Sequence, residues 1–99
     1  MPEDPLKTFE TLDPKLLSLI KEAQQLSLSD GALSRKFKLL IVLAFDAAYG
    51  AVEGVKSLAQ VAMQAGATKD EIAEALRVAQ YISGVGSIYT ASRALKELF

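Results

Sequence analysis

One acidic side chain lies inside the most apolar stretch of the chain. Asp46 stands between Phe45 and Ala47, in a run of mostly aliphatic residues that begins at Leu39. A carboxylate on a core helix either pairs with a cation or has a raised pKa, and both conditions are typical of functional sites. Asp46 is therefore a candidate general acid or base, or an anchor for a ligand. The alternative is a structural carboxylate that caps the next helix or pairs with a basic side chain across a subunit interface.

Tyr49 and Glu53 follow Asp46 by three and seven residues. On a continuous helix the three side chains would share one face and could line a polar spot in an apolar pocket. We take Asp46 as the catalytic proton-transfer group and the other two as its helpers. Gly50 interrupts the helix, so Tyr49 and Glu53 could have other roles. Tyr49 would then be a core aromatic with its hydroxyl at the rim, and Glu53 a first-turn acid that pairs with Lys56.

The composition describes one small domain with more apolar surface than it can bury. The chain has 99 residues, and 51% of them are hydrophobic. Because a domain of this size buries only part of its surface, we expect a second hydrophobic face that packs against other copies of the chain. The expected assembly is a homo-oligomer.

Hydrophobic periodicity predicts an all-α domain of about five helices and no strand. The predicted helices run from Pro14 to Leu26, from about Leu33–Arg35 to about Tyr49, from about Val52 to Gln64, from Thr68 through Ile82, and from about Ser87 to Leu98. Asp13 is the expected cap of the first helix, Gly66 the expected left-handed cap after the third, and Thr68 with Glu71 a capping box. A strand is the alternative for Leu39–Val42, but the length of the apolar pattern favours a helix at the centre of the core.

Two residue types that carry much of enzyme chemistry are missing: the sequence contains neither cysteine nor histidine. A chain without cysteine has no thiol redox chemistry, no disulfide and no thiolate ligand for zinc. A chain without histidine lacks the usual metal ligand and the usual general base. We therefore expect no metal and no cofactor.

The charges give no sign of a nucleic-acid or membrane partner. The net charge is −1, from 11 basic and 12 acidic residues, so there is no positive field for phosphates. Residues 68–93 resemble a helix-turn-helix, but Ser87-Ile88-Tyr89 stands where base-reading side chains belong. The longest apolar run is too short for a bilayer, and the polar, acidic N-terminal segment is not that of a signal peptide. We expect a cytoplasmic protein.

Three stretches within residues 33–92 resemble the carboxymuconolactone decarboxylase family, which includes the alkyl hydroperoxidase D-like proteins. The stretches are Leu33–Ile41, Ala62–Leu76 and Tyr81–Gly86, and the middle one is the most specific because an A-G-A-T turn leads into an E-I-x-E-A-L helix. The resemblance implies an all-helical fold that assembles as trimers or hexamers. Apart from the resemblance, the polar residues 1–12 are expected to be a flexible N-terminal arm, which leaves residues 13–99 as a single family-like helical domain.

The resemblance also indicates which family residues are replaced. In the hydroperoxidase branch, a C-x-x-C pair would fall on Ala51 and Gly54, the histidine on Leu58 and the glutamate on Leu39. In the decarboxylase branch, the histidine again falls on Leu58 and the acid on Gly54. Because none of these four residues can ionise, neither catalytic set is inherited.

The expected function follows from the family and from these replacements. We expect a divergent carboxymuconolactone decarboxylase-like or alkyl hydroperoxidase D-like protein that binds a small molecule, such as a lactone or a carboxylate, without thiol peroxidase chemistry. Whether it is an enzyme is left open. The alternative is a non-catalytic oligomeric ligand-binding or scaffold protein.

Overall fold

Six helices make up the fold in the computed structural model, which describes residues 4–99. They are α1 (Phe9–Leu12), α2 (Pro14–Leu28), α3 (Arg35–Tyr49), α4 (Val52–Gln64), α5 (Lys69–Ser83) and α6 (Gly86–Leu95). Residues 4–99 contain no strand, so the alternative of a strand over residues 39–42 is wrong. The prediction of an all-α fold is confirmed.

Most helix ends lie close to their predicted positions. The bounds of α4 match the prediction, whereas α2 continues two residues beyond the predicted Leu26 and α6 ends at Leu95 instead of Leu98. The short helix α1 was not predicted, because it lies in the segment expected to be an arm. The first three residues of that arm are outside the described residues, and the flexibility of the arm stays a prediction.

Side-chain caps fix the starts of three helices. The carboxylate of Asp13 accepts a hydrogen bond from the Leu16 N–H at 3.1 Å, and Pro14 occupies the first turn of α2. At the start of α5 the Thr68 hydroxyl accepts from the Glu71 N–H at 3.1 Å, and the Glu71 carboxylate accepts from the Thr68 N–H at 2.9 Å. These two bonds are the predicted capping box. Ser34 caps α3 in the same way as Asp13 caps α2.

Left-handed glycines end α3 and α4. Gly50 has φ +82°, and the N–H of Ala51 donates to the Asp46 carbonyl at 2.8 Å. Gly66 has φ +100°, and the N–H of Ala67 donates to the Ala62 carbonyl at 2.9 Å. Each pattern is a Schellman cap, which a residue with a side chain could form only with strain. The predicted cap at Gly66 is confirmed.

The core lies where α3 packs against α4, α5 and α6. Its largest fully buried side chains are Leu39, Leu43, Val55 and Ile72, and alanines let α4 and α6 approach closely. The helix α2 packs mainly on α1 and α3. No helix in the described part of the chain is long and apolar enough to cross a membrane.

The helix α3 is central, but it is not buried all round as its sequence predicted. Leu39, Leu40, Leu43 and Ala47 face the core. A second apolar row on the same helix stays exposed, namely Phe37, Ile41, Phe45 and Tyr49. The prediction failed for this row because no element among residues 4–99 covers the outer side of α3.

Candidate functional site

Asp46 lies in the last turn of α3, half-buried. Within residues 4–99 its carboxylate makes no salt bridge and no hydrogen bond. Burial without a compensating partner disfavours the ionised form, and it raises the pKa of Asp46 above its ordinary value. Of the two structural roles considered for this residue, capping α4 is excluded, since that helix has no side-chain cap.

The carboxylate of Asp46 lies directly over Gly54 of α4. A Cβ atom built on Gly54 would overlap Asp46 Oδ2 and would stand 3.0 Å from Asp46 Cγ. Such a separation is closer than non-bonded carbon atoms approach without strain. Asp46 therefore occupies the volume that a side chain at position 54 would need.

The turn between α3 and α4 creates this arrangement. The Schellman cap at Gly50 reverses the chain within two residues, and α4 then packs along α3. The Asp46 carbonyl accepts the closing hydrogen bond of the cap from Ala51 at 2.8 Å, so the backbone of Asp46 is itself part of the turn. One residue thus fixes the turn with its main chain and reaches the next helix with its side chain.

Glu53 does not share a helical face with Asp46, because α3 ends at Tyr49 and α4 begins at Val52, whereas Tyr49 follows Asp46 by three residues within α3. Tyr49 is 79% exposed and stacks on Phe45 with 6.2 Å between ring centroids, so its interpretation as a core aromatic is wrong. Glu53 is exposed in the first turn of α4, as expected for a first-turn acid. Their role as helpers of Asp46 stays a prediction.

The ion pair of Lys56 is formed across the fold. Its Nζ lies 3.0 Å from Oε2 of Glu97, near the C-terminal end of the chain. Hydrogen bonding and charge from Glu97 raise the pKa of Lys56, with a smaller contribution from Glu53. The expected local pair between Glu53 and Lys56 is replaced by this long-range contact, which the sequence gives no means to foresee.

The four positions named by the family resemblance contain no group that can ionise, and two of them are neighbours in space. The Cβ of Ala51 and a Cβ built on Gly54 would be 3.5 Å apart, within the range found for disulfide-bonded cysteines. Leu39 is fully buried, and Leu58 is partly buried against the core. The backbone thus keeps a geometry suited to a C-x-x-C pair, while a carboxylate from α3 fills part of that space.

An apolar concavity lies on another side of α3, between this helix and α5. This α3–α5 groove has a volume of about 770 Å³ and an almost wholly apolar lining, and Asp46 does not line it. A second, smaller concavity lies beside α2 and excludes Asp46 as well. Over residues 4–99 no group of three acidic, histidine or cysteine side chains could hold a metal ion.

Comparisons with known proteins agree with this geometry. A sequence profile of the carboxymuconolactone decarboxylase family matches residues 14–97. The structure is similar to the apo crystal structure of a carboxymuconolactone decarboxylase family protein from Legionella pneumophila, with a TM-score of 0.86 and 31% sequence identity. The similarity covers 92% of this chain and 81% of the Legionella chain. Comparison with curated proteins gave no significant match. The chain belongs to the carboxymuconolactone decarboxylase family.

Proposed function

We propose that this protein binds a small lactone or carboxylate at Asp46 and that Asp46 transfers a proton to or from it. The observation that carries the proposal is the half-buried carboxylate without a partner in residues 4–99, held over Gly54. The decarboxylase branch that the sequence resembles has its acid at position 54. Here α3 supplies a carboxylate to the same space from position 46.

The chemistry follows from the raised pKa of Asp46. A carboxyl group that keeps its proton to higher pH can donate a hydrogen bond to the carbonyl or carboxylate oxygen of a ligand. It can also give that proton to a carbanion or an oxyanion of the ligand and recover it from solvent. Tyr49 and Glu53 would assist from the rim. The protein would have no thiol chemistry of its own, since the chain contains no cysteine.

The proposal includes a homo-oligomer, a trimer or a hexamer, in the cytoplasm. Asp46 lines neither concavity of the single protomer, so a closed pocket over it needs a second wall. A neighbouring copy is the simplest source of that wall, and the exposed apolar side chains of α2, α3 and α5 support assembly.

A thermal-shift screen of small carboxylates, lactones and hydroperoxides tests the ligand. A compound that binds only the folded protein raises its melting temperature according to the ratio of concentration to Kd. We expect a lactone or carboxylate to stabilise the wild type and to lose its effect in Asp46→Asn. Glu10→Asn is the matched control, because Glu10 is an exposed acid on the distant helix α1. Equal stabilisation of the wild type and Asp46→Asn would refute binding at Asp46.

A second candidate function is a non-catalytic oligomeric scaffold or ligand-binding protein. One observation favours it: the α3–α5 groove, with a volume of about 770 Å³, is apolar and lies away from Asp46. In that case no compound of the screen loses its effect in Asp46→Asn, and Asp46→Asn melts far below the wild type without ligand. The same experiment therefore separates the two functions.

A further inference from the structure

Two apolar surfaces of the protomer have no partner among the described residues. The first, which we call the α2 stripe, consists of Leu16, Leu19, Ala23 and Leu26. Its members are spaced by three, four and three residues, as in the seam of a coiled coil. All four are exposed, and Leu26 is 82% exposed. Leu17, on another side of α2, is buried, and α2 contacts α1 and α3.

The second surface is the α3–α5 groove. Its walls are rows at helical spacing on the two helices: Phe37, Ile41 and Phe45 on α3, and Ala75, Val78 and Ile82 on α5. Two acidic residues, Glu71 and Glu74, lie at one end. Lys36 Nζ lies 2.9 Å from Glu71 Oε2, so α3 and α5 have their N-terminal ends together and run side by side in the same direction.

We propose that the α2 stripe of one copy packs into the α3–α5 groove of a second copy. The lengths agree: the stripe spans about 15 Å along its helix, and the residues that line the groove span about 16 Å on each helix, from Phe37 to Ala48 on α3 and from Glu71 to Ile82 on α5. A single helix presents a convex ridge, and two neighbouring helices present a groove that receives such a ridge. The inference rests on the assembly proposed above and not on the chemistry of Asp46.

Charge gives the docked helix a direction. Lys15 borders the stripe at the N-terminal end of α2, and neither Lys15 nor Glu74 has a salt bridge within residues 4–99. Placing the N-terminal end of α2 at the acidic end of the groove brings Lys15 to Glu74. In this direction Leu19 lies near Val78, and Ala23 lies near Ala48, which also lines the groove.

The contact is heterologous, because it joins two different surfaces. Each copy gives one stripe and receives another, so a chain of such contacts covers both apolar surfaces. Contacts of this kind form a ring when the rotation between copies closes and a filament when it does not, and the proposed trimer or hexamer is the closed case. Pairing two stripes with each other would leave both grooves open to water. This distinction makes the arrangement testable by blocking one surface in each of two variants.

Leu19→Glu blocks the stripe and leaves the groove intact, whereas Val78→Glu blocks the groove and leaves the stripe intact. Both residues are exposed, so the helical content measured by circular dichroism is expected to match the wild type. By light scattering we expect the wild type to have the mass of several chains and each variant the mass of one. An equimolar mixture of the variants retains one intact stripe and one intact groove, and we expect it to have the mass of two chains.

Lys21→Glu, on the side of α2 opposite the stripe, is the matched control and should assemble like the wild type. A wild type with the mass of one chain would overturn both the assembly and this interface. If the wild type assembles but the mixture of Leu19→Glu and Val78→Glu has the mass of one chain, the proposed interface is wrong and the assembly is not affected. Binding of a ligand at Asp46 is measured separately, so neither result depends on it.

Cross-linking gives a second readout, because the native chain has no cysteine. Ala23→Cys and Ala48→Cys are small changes at exposed positions. When the two single variants are mixed and oxidised, we expect the disulfide to join position 23 of one chain to position 48 of the other. Disulfides mainly between two copies of Ala23→Cys would indicate stripe-to-stripe pairing and would overturn the proposal.

Discussion

Asp46 and Gly54 share one volume: the carboxylate of the first lies where the second would carry its side chain. The two residues are on different helices and are joined by the cap at Gly50. Their sequence separation of eight gives no hint of contact unless the turn is known. This relationship determines how substitutions at either position behave.

Gly54→Ala should have opposite effects in two backgrounds. Alanine in place of glycine inside a helix gains about 1 kcal/mol, but overpacking costs about 1–3 kcal/mol. With Asp46 present we expect no gain, or a net loss, of unfolding free energy. In an Asp46→Ala background the space is free, and Gly54→Ala should stabilise.

Urea unfolding of the wild type, both single variants and the double variant measures this coupling. We expect an interaction energy of about 1–3 kcal/mol. Additive effects of the two substitutions would contradict the shared volume.

The raised pKa of Asp46 predicts a pH dependence of stability. Its folded state holds the proton to a higher pH than its unfolded state, so its contribution to stability is fully present below the ordinary pKa of 3.8. That contribution is lost as pH rises through the raised folded value. The unfolding free energy of Asp46→Asn should therefore increase relative to that of the wild type as the pH rises from acid to neutral.

An NMR titration that follows the chemical shift of the Asp46 carboxyl carbon tests directly whether burial raises the pKa of this group. The midpoint of the titration gives that pKa. We expect it above 3.8. A midpoint at or below that value would mean that an opposite charge or a hydrogen bond stabilises the carboxylate.

Glu71 should show the opposite pH dependence. The ion pair with Lys36, followed by the hydrogen bond from the Thr68 N–H, lowers the pKa of Glu71. Its contribution to stability is present above the ordinary pKa of 4.5 and is lost as pH falls through the lowered value.

We therefore expect Glu71→Gln to lower the urea midpoint at neutral pH and to match the wild type in strong acid. Glu10→Gln is the control, because Glu10 is exposed and forms no salt bridge within residues 4–99. If the urea midpoint of Glu71→Gln lies below that of the wild type by the same amount at every pH, the charge of Glu71 is not the cause of the loss.

Thr68→Ala removes the hydroxyl that accepts the Glu71 N–H at the start of α5. Loss of such a cap costs about 1 kcal/mol, and the range is about 0.5–2 kcal/mol. We expect this loss in the unfolding free energy of Thr68→Ala, whereas Thr68→Ser, which keeps a hydroxyl, should stay close to the wild type. Equal losses in both variants would point to the methyl group and not to the cap.

Local signals predicted the helices well because their physical causes lie within a few residues. A capping box needs only Thr68 and Glu71, and a Schellman cap needs a glycine such as Gly66 after the last turn. Most helix ends followed from such signals. The short helix α1 was missed because four residues carry no measurable periodicity.

Long-range contacts could not be predicted in the same way. Lys56 has an acid three residues before it, yet its partner is Glu97, which comes close only when α4 packs against α6. The sequence marks Asp46 as an unusual carboxylate because of its apolar neighbours, but its contact with Gly54 depends on the direction of the chain after Gly50. The apolar pattern of α3 could not show which of its two apolar rows faces the core and which stays exposed.

The contact of Asp46 with Gly54 also restricts how this sequence can change. A chain that gains cysteine or an acid at position 54, where the relatives it resembles have them, must turn the Asp46 carboxylate away or shorten the side chain at position 46. The converse holds for a relative with a side chain at position 54 that acquires an aspartate at position 46. Positions 46 and 54 are therefore expected to co-vary across the family, so that a large residue at one accompanies glycine or another small residue at the other.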